Sequence, residues 1–359
     1  MGLFSTSQID KINDIAKKSK AVQAPKSPKK VSSINDELNS SSKAVQEYFS
    51  DSLAILIESE QQLHEYVTAA ISCGYVGIDT ETTGLDRNQD YIVGASLYYP
   101  DGVECYIPMK HRIPIFEDEY KNQLDYNTVG KELQRFVDAN TKLIFANANF
   151  DLYMIWKDLK VDLCPSCYYD VILAWRCLKE NELHNGLKEL YNKYVLKGEG
   201  DPKRFSDFFS PSLFPYCKPE IAKLYAANDA KITYELFVWQ LPYTLKNNEK
   251  CKRNHLENIS ELIWQVEFPL ISIIQSIERT GMYIDQDRAS RLQVKYHEIY
   301  DKEMLELRTM VQDVLDNNVH ISTKKAPFSS GADFNPRSPL HVKFLCYELL
   351  QLPKPQGKE

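Results

Sequence analysis

No apolar run in the 359-residue sequence is long enough to span a bilayer. The basic start, apolar core and small-residue cleavage site of a secretory signal are also missing. A membrane or exported protein is therefore not expected, and the cytosol is the expected compartment. The eight cysteines sit in a chain with 43% hydrophobic residues, large and apolar enough to fold without disulfides, which suits a reducing setting. Cys164-Pro-Ser-Cys167 has the spacing of half a zinc site or a redox pair. No second CxxC or His pair stands at finger-like spacing, so these read as strand-edge cysteines. No internal repeat is present. The formal net charge of −7 disfavours indiscriminate nucleic-acid binding but allows a strand end to be gripped locally through metal ions and a groove.

Residues 1–50 hold few large apolar side chains and many Ser and Lys, so a mostly disordered tail is expected there. Within it, Ile9, Ile12 and Ile15 share one helical face, read as a fraying surface helix. Met1-Gly2 with Thr6 fits a myristoylation pattern only as a chance match. An amphipathic helix is expected from Tyr48 to Ile71, then strands at 75–85, 91–99, 103–108 and 142–146. Pro100-Asp101-Gly102 has turn chemistry and makes the second and third of these an antiparallel pair. Helices are expected near 127–139, 171–179, 185–195, 219–241, 256–279 and 286–315, with a last one ending at Leu350. The aromatic loop with Phe205, Phe208, Phe209, Phe214 and Tyr216 either caps the core or stacks on unpaired bases.

Three short stretches carry chemistry. Alternation along Tyr75 to Leu85 puts Asp79 and Glu81 on one face of a strand, where two ionised carboxylates repel and lose solvation. A divalent cation relieves both problems; the alternative is a solvated pair beginning the turn at Thr82-Thr83-Gly84. Asn147 falls at a strand end and Asp151 in the first turn of a helix, where an acid also complements the helix dipole. Tyr225 and Asp229, at i and i+4, lie above one another on a long helix, where a buried Tyr–Asp contact is the bland reading.

In order, Asp79-Thr-Glu81-Thr-Thr-Gly-Leu85, Asn147-x3-Asp151 and Tyr225-Ala-Ala-Asn-Asp229 resemble the motifs of the 3′–5′ exonuclease domain of family A DNA polymerases, of the bacterial DNA polymerase I type. Asp170-Val-Ile-Leu and Asn185-Gly-Leu-Lys-Glu-Leu resemble the link between the last two motifs. Leu224 stands where a related subgroup has His, so the tyrosine-type subgroup is indicated. Glu267-Phe-Pro-Leu270, Gly281-Met-Tyr-Ile-Asp285 and Phe334-Asn-Pro-Arg-Ser-Pro339 resemble the entry and thumb of the polymerase region.

The resemblance implies an α/β, ribonuclease H-like exonuclease fold, a mixed central sheet flanked by helices, over residues 51–245. A mostly helical, incomplete thumb segment is implied over 255–359. The fingers and palm of that family have no counterpart, so polymerisation by this chain alone is not expected. A second chain carrying them, or a longer parent protein, is the expectation, and a phage replication protein fits the layout.

The resemblance further implies two divalent cations, Mg²⁺ or Mn²⁺. Asp79, Glu81 and Asp229 would hold the ion that activates water, with Asp151 supporting a second ion bridged by Asp79. Tyr225 would orient the attacking water. Leu85 would wedge between the last two bases, and Thr82, through the backbone after Glu81, and Asn147 would touch the terminal nucleotides. The implied reaction removes 5′-mononucleotides from single-stranded or frayed 3′ DNA ends. Two other readings are a ribonuclease D-like enzyme of RNA 3′ ends and a non-catalytic subunit holding primer–template.

Overall fold

The computed structural model describes residues 31–114, 118–182, 186–201, 203–318 and 326–353. The chain divides into two compact units, one reaching to Thr280 and one starting at Gly281.

The first unit is built on six strands: β1 (Ile55–Leu56), β2 (Tyr75–Thr82), β3 (Ile92–Tyr98), β4 (Cys105–Pro108), β5 (Lys142–Phe145) and β6 (Cys167–Asp170). They form one mixed sheet in the order β1-β4-β3-β2-β5-β6. β2, β3 and β4 make the expected antiparallel meander, with Asp101 in the left-handed region at the second turn. β5 and β6 run parallel to β2 on its other side. This is the expected α/β architecture, a mixed sheet flanked by helices.

Local chemistry fixes where β2 begins. Helix α2 (Glu60–Cys73) opens at Ser59, whose side chain accepts the Gln62 N–H. It closes at Gly74, φ 78°, whose N–H bonds to the Ala70 and Ile71 carbonyls. The strand therefore starts at Tyr75, and alternation does the rest. Val76 and Ile78 enter a core shared with α2, α3 (Tyr126–Asp138) and α4 (Ala148–Leu159). Gly77 faces the opposite side, where the long helix α7 (Pro219–Thr244) crosses. α5 (Val171–Leu178) and α6 (Leu187–Tyr194) pack beside α7 in a cluster around Tyr169, Trp175 and Phe237.

The structure departs from expectation in the N-terminal region. Where residues 1–50 are expected to be disordered, Val31–Tyr48 forms helix α1. Its buried Leu38 and Val45 join a cluster with Phe209, Phe214 and Tyr225, and Glu37 accepts hydrogen bonds from Ser210 N–H (3.2 Å) and Oγ (2.8 Å). Ile34, Leu38, Val45 and Tyr48 recur at helical spacing, but within a Ser-rich, polar run that only the tertiary surface stabilises as a helix. Ile9, Ile12, Ile15 and the Met1-Gly2 pattern lie outside the described residues. The helix expected from Tyr48 is broken by β1, whose backbone pairs with Cys105 and Tyr106.

After α7 come α8 (Glu249–Arg253) and α9 (Glu257–Leu262), which continues through a π turn at Ile263–Glu267 into α10 (Phe268–Thr280). Pro269 lacks the N–H that the regular ladder needs, which accounts for the widened turn before it. α10 packs on the first unit through buried Ile271 and through Gln275, whose Nε2 donates to the Asn149 carbonyl at 2.8 Å. Residues 257–280 thus belong to the first unit.

The second unit is mostly helical, as expected: α11 (Gln286–Asn317), capped by Asp285, and α12 (Pro339–Lys343), extended by a π turn through Leu349. Its small core is Val311, Phe328, Phe334 and Leu349. Among the described residues no helix is long and apolar enough to cross a membrane.

Candidate metal centre

The site forms where β2 meets α7. A Cβ on Gly77 would lie 2.4 Å from the Ala230 carbonyl oxygen, so only glycine lets strand and helix come this close. That approach brings Asp79 and Glu81, on the α7 face of β2, to Asp229. Ligand oxygens of these three half-buried carboxylates lie within 4.8 Å of one another.

Acids this close cannot all ionise without a counter-charge. The Asp79 carboxyl is pushed well above its usual range by burial, then by Asp151, Glu81 and Asp229, while Lys188 pulls it back. Glu81 rises to about 8, mainly through burial and then through Asp229. Asp229 is raised by burial and pulled back by Lys188 and Tyr225. An all-oxygen, multiply anionic donor set suits a hard divalent cation such as Mg²⁺ or Mn²⁺, so the residues fit the implied ions.

Asp151 stands outside the group of three. It is buried in the first turn of α4, and Oδ1 accepts from Thr80 N–H (3.1 Å) and Oγ1 (2.5 Å). β5 pairs with β2 only as far as Gly77↔Ile144, which leaves the strand edge at Thr80 open to this carboxylate. Burial raises the Asp151 carboxyl to about 7 against the lowering by both Thr80 bonds. Behind it, buried Asp170 accepts from the N–H groups of Asn147 (3.2 Å), Ala148 (2.8 Å), Ile172 (2.9 Å) and Leu173 (3.0 Å). One carboxylate thereby fixes the starts of α4 and α5 together.

Tyr225 sits one turn before Asp229 on α7 and is 8% exposed. Its ring meets Phe205 (5.3 Å between centroids) and Phe49 (6.5 Å) edge-on. The aromatic loop therefore caps the core around Tyr225: Phe205 stacks on Phe209 at 4.9 Å, and Phe209 and Phe214 are buried. On the other side, Lys188 Nζ lies 3.6 Å from the Tyr225 ring centroid and 3.0 Å from Asp229 Oδ1.

The residues expected to touch nucleic acid are at the rim. Thr82 ends β2 after a bulge and donates its Oγ1 hydrogen bond to the Gly84 carbonyl at 2.7 Å. Leu85 is 85% exposed. Asn147 is exposed and adopts φ 74° at the start of α4, with no side-chain cap bond. Sequence reasoning gave no role to Thr80, Asp170 or Lys188. Asp170 did carry a signal, an acid directly before an apolar helical run. Lys188 lies inside the quoted Asn185-Gly-Leu-Lys-Glu-Leu stretch, but nothing local distinguishes it from a solvated lysine. Cys164 and Cys167 are free, in a turn and at the start of β6, and Cys164 Sγ accepts from Arg279 at 3.4 Å.

A family model described as 3′–5′ exonuclease matches residues 54–238. DNA polymerase I of Borreliella burgdorferi is 25% identical over 304 residues, which cover 84% of this chain and 28% of that polymerase. DNA polymerase DpoZ of Acinetobacter phage SH-Ab 15497 is 24% identical over 276 residues, 73% of this chain and 38% of that protein. The chain thus spans less than two-fifths of either relative. Among solved structures, the POL domain of Pol1 from M. smegmatis in complex with DNA primer-template and dNTP matches with a TM-score of 0.48 at 11% identity, over 83% of this chain and 41% of that one.

Proposed function

This chain belongs to the 3′–5′ exonuclease domain family of family A DNA polymerases, and on that premise we propose that it removes nucleotides one at a time from the 3′ ends of DNA. The observation carrying this reading is the convergence of Asp79, Glu81 and Asp229 oxygens within 4.8 Å, with Tyr225 one helical turn from Asp229. Two divalent cations, when bound, supply an acidified water and charge stabilisation for phosphodiester hydrolysis. Asp79, Glu81 and Asp229 would hold them, with Asp151 behind Asp79.

Tyr225 acts as a hydrogen-bonding group, not as a base. Burial, then Asp229 and Glu81, push its phenol far above its ordinary range, so the hydroxyl keeps its proton at neutral pH. Held between Phe205 and Lys188, it orients the attacking water. Leu85, exposed at the rim, enters between the last two bases, while Thr82 and Asn147 hold the terminal nucleotides. A mismatched end unpairs at lower cost, so preference for frayed ends follows from melting and not from reading the base. The relatives are bacterial and phage DNA polymerases, so proofreading during replication in a bacterial cytosol is the proposed setting.

The test uses the purified chain with Mg²⁺ or Mn²⁺ and a 3′-mismatched primer–template, single-stranded DNA, and RNA of the same sequence. The expected result is release of 5′-mononucleotides from DNA 3′ ends, stopped by EDTA. DNA bound but uncut under both ions would favour the primer-template-holding reading, and faster cutting of RNA would overturn the DNA assignment.

A further inference from the structure

Lys188 is a charged residue of the centre to which the exonuclease reading gives no task. It enters from the first turn of α6, after Gly186, and its side chain is only 11% exposed. Its ammonium lies against the Tyr225 face and forms an ion pair with Asp229 Oδ1 at 3.0 Å. The ammonium is buried there, and the Asp229 carboxylate is the acceptor beside it. A lysine with its ammonium among carboxylates and a ring face is placed by charge.

We propose that Lys188 is a positioning residue of this centre, a tethered cation that holds Asp229 and the Tyr225 ring while the carboxylates carry no ion and that competes with a divalent cation for Asp229. The proposal rests on the reading of the acid cluster as a divalent-ion site. One ammonium offsets one of the three clustered carboxylates, so the centre stays anionic enough to take up an ion. Asp229 Oδ1 cannot serve both cations at full strength, because like charges sharing one oxygen repel across a few ångströms in a poorly solvated cleft. With two divalent ions against Asp79, Glu81, Asp151 and Asp229, the formal charges cancel. The ammonium is then the remaining positive charge, matching the single negative charge of a phosphodiester.

The test compares the full chain with Lys188→Met, and with Lys188→Gln in case the first fails to fold. Mn²⁺ binding is measured by calorimetry, thermal unfolding is followed in EDTA, and cleavage of a single-stranded oligodeoxynucleotide is timed at saturating Mn²⁺. The expected result is a lower Tm in EDTA, Mn²⁺ bound about tenfold more tightly, as loss of a repelling charge dictates, and kcat lower by roughly tenfold with KM little changed. A residue that only packs α6 against α7 would lower Tm without tightening Mn²⁺ binding. Affinity unchanged or weakened in both variants overturns the proposal while leaving the exonuclease reading standing. No Mn²⁺ binding by the unaltered chain overturns both.

Discussion

Two regions around one sheet bury carboxylates and deal with the cost in opposite ways. Asp170, at the end of β6, accepts four backbone N–H bonds, which oppose the burial that raises its carboxyl. Asp79, Glu81 and Asp229, where β2 meets α7, face mainly one another and Lys188. Backbone donors make the first acid a structural pin. The second group is offset mainly by cations, and the fold supplies one of them in Lys188. Asp151 stands between the two, with both Thr80 donors on one oxygen and a place beside the acid cluster.

The sharpest way to break this contrast is to neutralise each side. Asp79→Ala with Glu81→Ala is expected to abolish cleavage while DNA binding at low salt survives. Unfolding in EDTA should come no lower than in the unaltered chain, since repulsion is removed. Cleavage surviving in that double variant would remove the cluster from the chemistry. Asp170→Ala should do the reverse. It strands four N–H groups at two helix starts, one of them buried and three partly buried, so denaturant unfolding should show a loss of about 2–4 kcal/mol. Activity per folded molecule should then persist well below the lowered Tm. A stable but inactive Asp170→Ala would place this acid in the chemistry instead.

The same contrast explains what could be read in advance. The meander, the strand carrying Asp79 and Glu81, and the helix carrying Tyr225 and Asp229 are written in local periodicity and turn residues, and the structure has all of them. α1 has helical spacing at Ile34, Leu38 and Val45, but its Ser-rich composition reads as a tail, and Leu38 and Val45 find their partner surface only in Phe209, Phe214 and Tyr225. β1 is two residues long, and only pairing with β4 defines it. At the site, the acids are legible because their types and spacings are unusual. Lys188 and Thr80 are common residues whose meaning lies in what the fold sets beside them, Asp229 for one and Asp151 for the other.

Tyr225→Phe probes the boundary between the two behaviours. The ring packing against Phe205 and Phe49 is kept, and only the hydroxyl is lost. A fall in kcat of roughly 10–100-fold with unchanged Mn²⁺ affinity is expected if the hydroxyl positions water. An unaltered rate would leave Tyr225 as core packing alone.

The smallest effect expected is a pH dependence of ion stabilisation, and its sign follows from the direction of the carboxyl shifts. Without an ion, Glu81 titrates near 8 and Asp151 near 7 in the folded chain. Both are raised above the ordinary carboxylate range of about 4 that the unfolded chain keeps. The folded state therefore holds more protons in the window between, and the ion-free fold loses stability as pH rises from about 5 to 8. An ion that binds ionised carboxylates is favoured by the same rise. The Tm difference between Mn²⁺ and EDTA should widen steadily from pH 5 to pH 8, and Asp79→Ala with Glu81→Ala should flatten most of it. A difference that stays constant with pH would mean that the ion and the protons use different carboxylates. The acid cluster would then be a structural feature in the same sense as Asp170.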